Sequence, residues 1–221
     1  MKGDAARVWV LLSAAAGVAV YVLMLLGYRQ GWGWLAHADA VALDTSYDIG
    51  IEHPDWVGFW DGLSTVFEPA MFRLLGMLVA IAAAFRKRLR AALFLLVTVE
   101  LSGLITVVAK GSVDRPRPVT ALVGATSSSF PSGHALGATI GVGALLAVVL
   151  PVLGRYARVT AVCAGVLVVA GVGVARVALN VHHPSDVLAG WALGWSYLSV
   201  WALLLKPWID GVDPPHRPVT G

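Results

Sequence analysis

The chain has 221 residues, 58% of them apolar in the wide sense and 13% charged, with a mean hydropathy of +0.77, a balance that excludes an ordinary soluble domain. Repeated long apolar runs leave segments too short for a second core, so a single membrane domain over 1–221 is expected. The net charge of +3 does not point to nucleic acid, because the 16 Lys and Arg are spread through short segments between apolar runs, and the one cysteine, Cys163, excludes an intrachain disulfide and a thiolate metal cluster.

In chain order the first apolar run covers about 8–27. It follows Lys2 and Arg7, and Ala36-His37-Ala38 resembles a cleavage site, but the run is too long for a signal peptide and is expected to be a retained helix. Segment 28–68 then carries Asp39, Asp44, Asp48, Glu52, Asp55, Asp61 and Glu68 against one basic residue, Arg29. It reads as an extracytoplasmic loop. Trp32, Trp34, Trp56 and Trp60 suit the headgroup layer, and 38–50 suits a short surface helix.

Five more spans follow, at about 69–85, 91–109, 133–151, 159–178 and 187–205, each close to the length that crosses ~30 Å of hydrocarbon. In lipid such segments must be helices, because only a helix satisfies its own backbone. The fold class is therefore all-α, a bundle of six transmembrane helices. Arg86, Lys87, Arg88 and Arg90 after the second span, Arg155 and Arg158 after the fourth, and Lys2 and Arg7 at the start mark the cytoplasmic ends. Tail 206–221 holds Pro207, Pro214, Pro215 and Pro218 and is expected to be a disordered cytoplasmic end. Arg73 and Glu100 stand inside spans; a mutual ion pair is the favoured reading, a substrate or proton path the other.

Three polar segments remain, all on the extracytoplasmic side of this topology. Lys110 to Pro118 reads K-G-S-V-D-R-P-R-P, a proline-stiffened arm with Lys110 and Arg117 seven apart and Arg115 between them. Pro131-Ser132-Gly133-His134 opens the fourth span and Pro184 fits the first turn of the sixth, making two helix N-termini whose free N–H groups attract phosphate. The third segment runs from Arg176 through His182 to Asp186. Lys110, Arg117 and Arg176 are enough charge to hold a phosphate dianion. Of two histidines beside it, one can attack phosphorus while the other, protonated, supplies the leaving oxygen, and Asp186 can orient the nucleophile.

These segments, K-x6-R-P at 110–118, P-S-G-H at 131–134 and R-x5-H-x3-D at 176–186, resemble the three-part signature of the type 2 phosphatidic acid phosphatase family in order and helical setting. The resemblance extends from about residue 8 to 205 and omits the first loop and the tail. It implies a catalytic set of His182 as the nucleophile that becomes phosphohistidine, Asp186 as its partner, and His134 as general acid and then base. It assigns phosphate binding to Lys110, Arg117, Arg176, Ser132 and Gly133. Ala175 stands where the family often has Ser, which places one phosphate hydrogen bond in question. Arg217-Pro218-Val219-Thr220 repeats 117–120, but Asp210 occupies the Lys position, so the echo is treated as chance.

Structural alternatives carry less weight. His134 alone could be a helix cap, and Lys110 and Arg176 could be snorkelling ends, but cations on the outer face run against the positive-inside preference. His182, His183 and Asp186 could ligate a metal, except that the neighbouring cations would repel it, so no cofactor is expected. His183 has no role in the family pattern. The expected activity is hydrolysis of a membrane-lipid phosphate at the extracytoplasmic face of a plasma membrane. The substrate expected first is an undecaprenyl- or decaprenyl-type diphosphate, and second phosphatidylglycerol phosphate or phosphatidic acid. The alternatives are phosphotransfer through the same phosphohistidine and a non-catalytic lipid-phosphate transporter.

Overall fold

The structure is a computed structural model that describes residues 2–208; the rest of the tail assigned to disorder lies outside them. Helix α1 spans Lys2–Gln30, α2 Gly33–Glu52, α3 Pro54–Val66, α4 Pro69–Phe85, α5 Leu89–Leu95, α6 Ser102–Gly111, α7 Gly133–Val149, α8 Arg155–Ala178 and α9 Pro184–Leu205. A five-residue π segment, Leu96–Glu100, joins α5 to α6, and the described residues contain no strand. Six stretches are long and apolar enough to cross a membrane: Asp4–Gln30, Pro54–Phe85, Leu89–Gly111, Gly133–Val152, Arg155–Ala178 and Pro184–Leu205. The all-α, six-span reading therefore holds; the ends at 85, 133, 178 and 205 fall where expected, the other ends lie within a few residues, and the second stretch starts early because it takes in α3.

The larger difference is in 28–68, which is not a loop. After the last residues of α1 and a break at Gly31-Trp32 it folds as α2 and α3, broken at His53 and again at Phe67-Glu68, where Pro54 and Pro69 restart the chain as first-turn prolines. Both helices pack onto α8, and α2 also onto α9. The reason is a stripe at i, i+4, i+8: Leu35, Asp39 and Leu43 are all buried, so α2 has an inward face and does more than anchor at the interface.

Helix α9 lies at the centre, packed along α1 and α7 and touched by α2, α5 and α8. Glycines permit the closest approach: a Cβ on Gly190 would stand 2.6 Å from the Ser132 carbonyl oxygen, so α9 and the start of α7 touch through backbone. Phe94, Leu95, Ala138, Ile140, Ala144 and Val172 are fully buried between the helices, while Leu12, Leu78, Leu104 and Leu167 face outward as lipid-facing residues should. At one end of the bundle the C-termini of α6 and α8 meet the N-termini of α7 and α9, and this end carries the three polar segments.

Candidate active site

Local chemistry fixes each segment before the segments meet. Helix α8 ends by turning through Asn180 at φ +54°, a left-handed conformation that Asn tolerates, with the Val181 and His182 N–H groups both closing on the Arg176 carbonyl. The Asn180 amide then donates to the Leu43 carbonyl at 3.1 Å, tying this turn to α2. Helix α9 restarts at once on Pro184, and Asp186 reaches back from its first turn to accept the His183 backbone N–H at 2.8 Å, as a capping carboxylate does. Ser132 caps α7, its hydroxyl accepting from the Ala135 N–H and its own N–H donating to the Asp186 carbonyl at 2.9 Å. The two helix N-termini are thus locked to each other.

Asp186 is the centre of the polar network. Its Oδ1 accepts from Arg115 Nη1 at 2.6 Å; its Oδ2 accepts from the Ser129 hydroxyl and from His183 Nδ1 at 3.0 Å. Arg115 is 7% exposed, lies over the Tyr28 ring at 4.6 Å, and gives its other arm to Asp39 Oδ2 at 2.8 Å. Asp39 also accepts from the Ser185 N–H at 2.9 Å and hydroxyl at 2.6 Å. This chain of buried, fully bonded charges joins α2 to the start of α9. Neither Asp39 nor Ser129 nor Ser185 emerges from the motifs, and Arg115 emerges only as a charge between Lys110 and Arg117.

Beside this scaffold is a cavity of about 330 Å³ between α4, α6 and α7. Lys110, Arg117, Gly133, His134 and His182 line it together with Arg73 and Ser127. Five sequence-predicted residues therefore share one space. Ser132, Arg176 and Asp186 stand behind its wall: Ser132 and Asp186 are fully buried, and Arg176, 6% exposed, donates to the Ser64 hydroxyl of α3 at 2.7 Å while its Nε has no partner.

The cations are held by a serine-rich stretch that the motifs do not include. Lys110 Nζ donates to the Ser128 carbonyl and, at 3.3 Å, to the Ser127 hydroxyl. Arg117 donates through Nε to the Ser127 carbonyl at 2.8 Å and through Nη1 to the Val181 carbonyl at 2.6 Å. Arg117 Nη1 also lies 3.2 Å from His182 Nε2. A guanidinium only donates, so Nε2 is the acceptor and the ring proton sits on Nδ1. Nδ1 faces Asp186 Oδ2 at 3.6 Å, too long for a hydrogen bond, so the carboxylate acts on the ring through its charge. Burial, the largest cause, holds the His182 imidazole down to about 4 against the ordinary 6.5; Asp186 opposes this, and Arg117 and Arg176 reinforce it. At neutral pH His182 is therefore uncharged, with its Nε2 lone pair aimed at the cationic side of the cavity. Arg117 is itself lowered from its usual value by burial, an effect that Asp186 opposes.

Arg73 and Glu100 do not form the ion pair expected of them. Arg73 is turned into the cavity, and both its Nε and Glu100 Oε1 are buried without a hydrogen-bond partner. The two charges attract only at longer range. Among the described residues no group of three or more His, Cys, Asp or Glu side chains converges as metal ligands.

A six-span helical bundle with two histidines, three cations and a helix N-terminus around one cavity defines a membrane protein suited to hold an anion such as phosphate. Residues 91–209 match the model of the PAP2 superfamily, and the chain belongs to that family. It is 36% identical over 127 residues to phosphatidylglycerophosphatase B of Bacillus subtilis (strain 168), covering 55% of this chain and 62% of the relative. It is also 36% identical over 112 residues to lipid A 1-phosphatase of Rhizobium etli, covering 46% of this chain and 44% of the relative. The chain thus spans less than two thirds of these curated relatives. The crystal structure of a transmembrane PAP2-type phosphatidylglycerolphosphate phosphatase from Bacillus subtilis superimposes with a TM-score of 0.71 at 25% identity, over 91% of this chain and 98% of the other.

Proposed function

We propose that the protein is a metal-independent lipid phosphatase working through a phosphohistidine on His182. The observation that carries the reading is the orientation of His182: a neutral, fully buried imidazole whose Nε2 lone pair lies 3.2 Å from the Arg117 guanidinium, in the wall of a cavity shared with His134 and Lys110. A phosphate seated there accepts from Lys110, Arg117 and the first N–H groups of α7 at Gly133, while Arg176 and Ser132 support that wall from behind. The Nε2 lone pair forms the P–N bond as the P–O bond to the leaving group breaks. His134 gives the leaving oxygen its proton, and the positive charge on the phosphorylated ring faces Asp186. His134 then takes a proton from water, the water oxygen bonds to phosphorus, the P–N bond breaks and inorganic phosphate departs.

Two features support a lipid substrate. The cavity wall includes Val107, which is 69% exposed on the apolar flank of α6, so the opening lies where tails would sit. The relatives are named for phosphatidylglycerophosphate and lipid A phosphate. A polyprenyl diphosphate is the first candidate and phosphatidylglycerol phosphate or phosphatidic acid the second. The extracytoplasmic face is supported by charge, because Arg86, Lys87, Arg88, Arg90, Arg155 and Arg158 all lie at the opposite ends of their helices.

The test is release of inorganic phosphate from a panel of these lipids in detergent with excess EDTA. Multiple turnovers are expected from the wild type and none from His182→Ala. Full loss on chelation would sink the metal-free scheme, and an undiminished rate from His182→Ala would overturn the nucleophile. Acceptor lipids added to the same assay separate hydrolysis from phosphotransfer by product.

A further inference from the structure

One cation in the cavity is not used by this scheme. Arg73 sits one turn into α4, and its guanidinium crosses to α6, where Nη2 lies so close that a Cβ on Gly103 would stand 2.7 Å from it. Its Nε is buried and unpartnered, and Glu100 is not paired with it. An unpaired charge in a membrane span is costly and calls for a ligand or a path.

Depth decides which part of a substrate it meets. Thr106 packs against Gly133, its Cγ2 3.1 Å from where a Cβ there would be, so Thr106 marks the level of the helix N-terminus that takes the phosphate. Gly103 is three residues further into the bundle, roughly 4.5 Å along the helix axis. The Arg73 guanidinium therefore lies between the phosphate under attack and the middle of the membrane, at the level of whatever joins that phosphate to the tails.

We propose that Arg73 is a specificity residue that binds a second phosphate, the one between the scissile phosphate and the lipid tail. It would then select lipid diphosphates, and lipids with a phosphomonoester beyond a phosphodiester, over lipids bearing one phosphate. This rests on the lipid-phosphatase reading of the cavity. In a diphosphate the breaking bond leaves its electrons on the bridging oxygen of the departing monophosphate, and a guanidinium on that phosphate stabilises the charge as it forms. A lipid with a single phosphate leaves Arg73 with only the longer-range attraction of Glu100 and its Nε buried without a partner, which discriminates against it.

The experiment compares kcat/KM on a polyprenyl diphosphate and the monophosphate of the same tail, in detergent with EDTA, for wild type, Arg73→Met, Arg73→Lys and Gly103→Ala, with His182→Ala as blank. The wild type should prefer the diphosphate. Arg73→Met should lose at least tenfold more on the diphosphate than on the monophosphate, and Arg73→Lys should recover part of that difference. Gly103→Ala, which displaces the guanidinium without removing it, should show the same selective loss, so the test survives poor folding of Arg73→Met. Absence of a wild-type preference, or equal losses on both lipids, overturns the role of Arg73. Wild type that releases phosphate from neither lipid nor any other in the panel refutes the phosphatase reading itself.

Discussion

The joint between α2 and the start of α9 makes a quantitative prediction. Asp39 is 3% exposed and accepts from Arg115 Nη2, the Ser185 N–H and the Ser185 hydroxyl at 2.8, 2.9 and 2.6 Å. Replacing it with Asn keeps the shape and removes the charge, leaving a buried guanidinium with Asp186 as its remaining carboxylate. Breaking a buried pair costs about 3–5 kcal/mol, and because Arg115 keeps its second partner, the lower end, about 3 kcal/mol, applies to Asp39→Asn. In Arg115→Met the stem is replaced by similar apolar volume and Asp186 keeps the Ser129 and His183 donors, so the double variant should be less damaged than the sum, by about 1–3 kcal/mol of coupling. Reversible unfolding in mixed micelles gives the four free energies of the cycle. Lipid-phosphate turnover provides a second readout: kcat should fall on the order of 10²-fold if the loss displaces Asp186 and His182 by about 1 Å, with KM little altered. Additivity within about 0.5 kcal/mol, or an Asp39→Asn protein with wild-type stability and kcat, would refute the idea that α2 holds the site through this network.

Isotope-labelled histidine with His182→Gln for assignment should show His182 neutral down to about pH 4. Since its folded value is depressed, the unfolded chain binds the extra proton between about pH 6.5 and 4, so stability should fall as pH drops through that window; titration of His182 near 6.5 would contradict its burial beside Arg117. Gly190→Ala forces a Cβ to 2.6 Å from the Ser132 carbonyl, so α9 and α7 must separate; a loss of about 1–3 kcal/mol and of activity together is expected, and a neutral result would show that the contact yields freely. Val119 is fully exposed beside the site, so a cysteine there, in a Cys163→Ser background, should react with a membrane-impermeant maleimide in intact cells, and protection until lysis would reverse the proposed orientation.

What the sequence reveals here is local. Spans and helix starts follow from apolar runs and from Pro184 and Ser132, but not the helices of 28–68. Lys110, Gly133 and His134 sit at helix ends, and Arg117 and His182 in the connections between them, so the topology brings all five to one cavity. What stays hidden is carried by single polar residues whose partners are 146, 112 and 137 positions away: Asp39 to Ser185, Ser64 to Arg176, and Leu43 to Asn180. A net acidic count makes Asp39 one charge among seven. Only its place in the Leu35, Asp39, Leu43 stripe sets it apart, a polar residue on a face that otherwise buries leucine. The Arg73 reading failed for a related reason, since opposite charges in two spans suggest a pair but cannot say which way a long side chain turns.

The geometry also divides labour around His182. Asp186 has its oxygens occupied by Arg115, Ser129 and His183, and these donors fix a charged carboxylate in a buried place where it would otherwise be costly. At 3.6 Å from Nδ1 it does not need to share a proton to matter. In the proposed phosphohistidine scheme the ring becomes cationic when Nε2 takes a phosphoryl group, and an anion at that distance is worth roughly 4–5 kcal/mol at an effective dielectric near 20. Arg117 acts on the other side and in the other direction. The lone pair that it holds at 3.2 Å is the one assigned the attack in the proposed scheme, where reaction exchanges the Arg117 contact with Nε2 for a contact with a phosphate oxygen. In the proposed scheme the same guanidinium sets the tautomer at rest, is drawn off His182 by the arriving anion, and neutralises that anion's charge as the P–N bond forms.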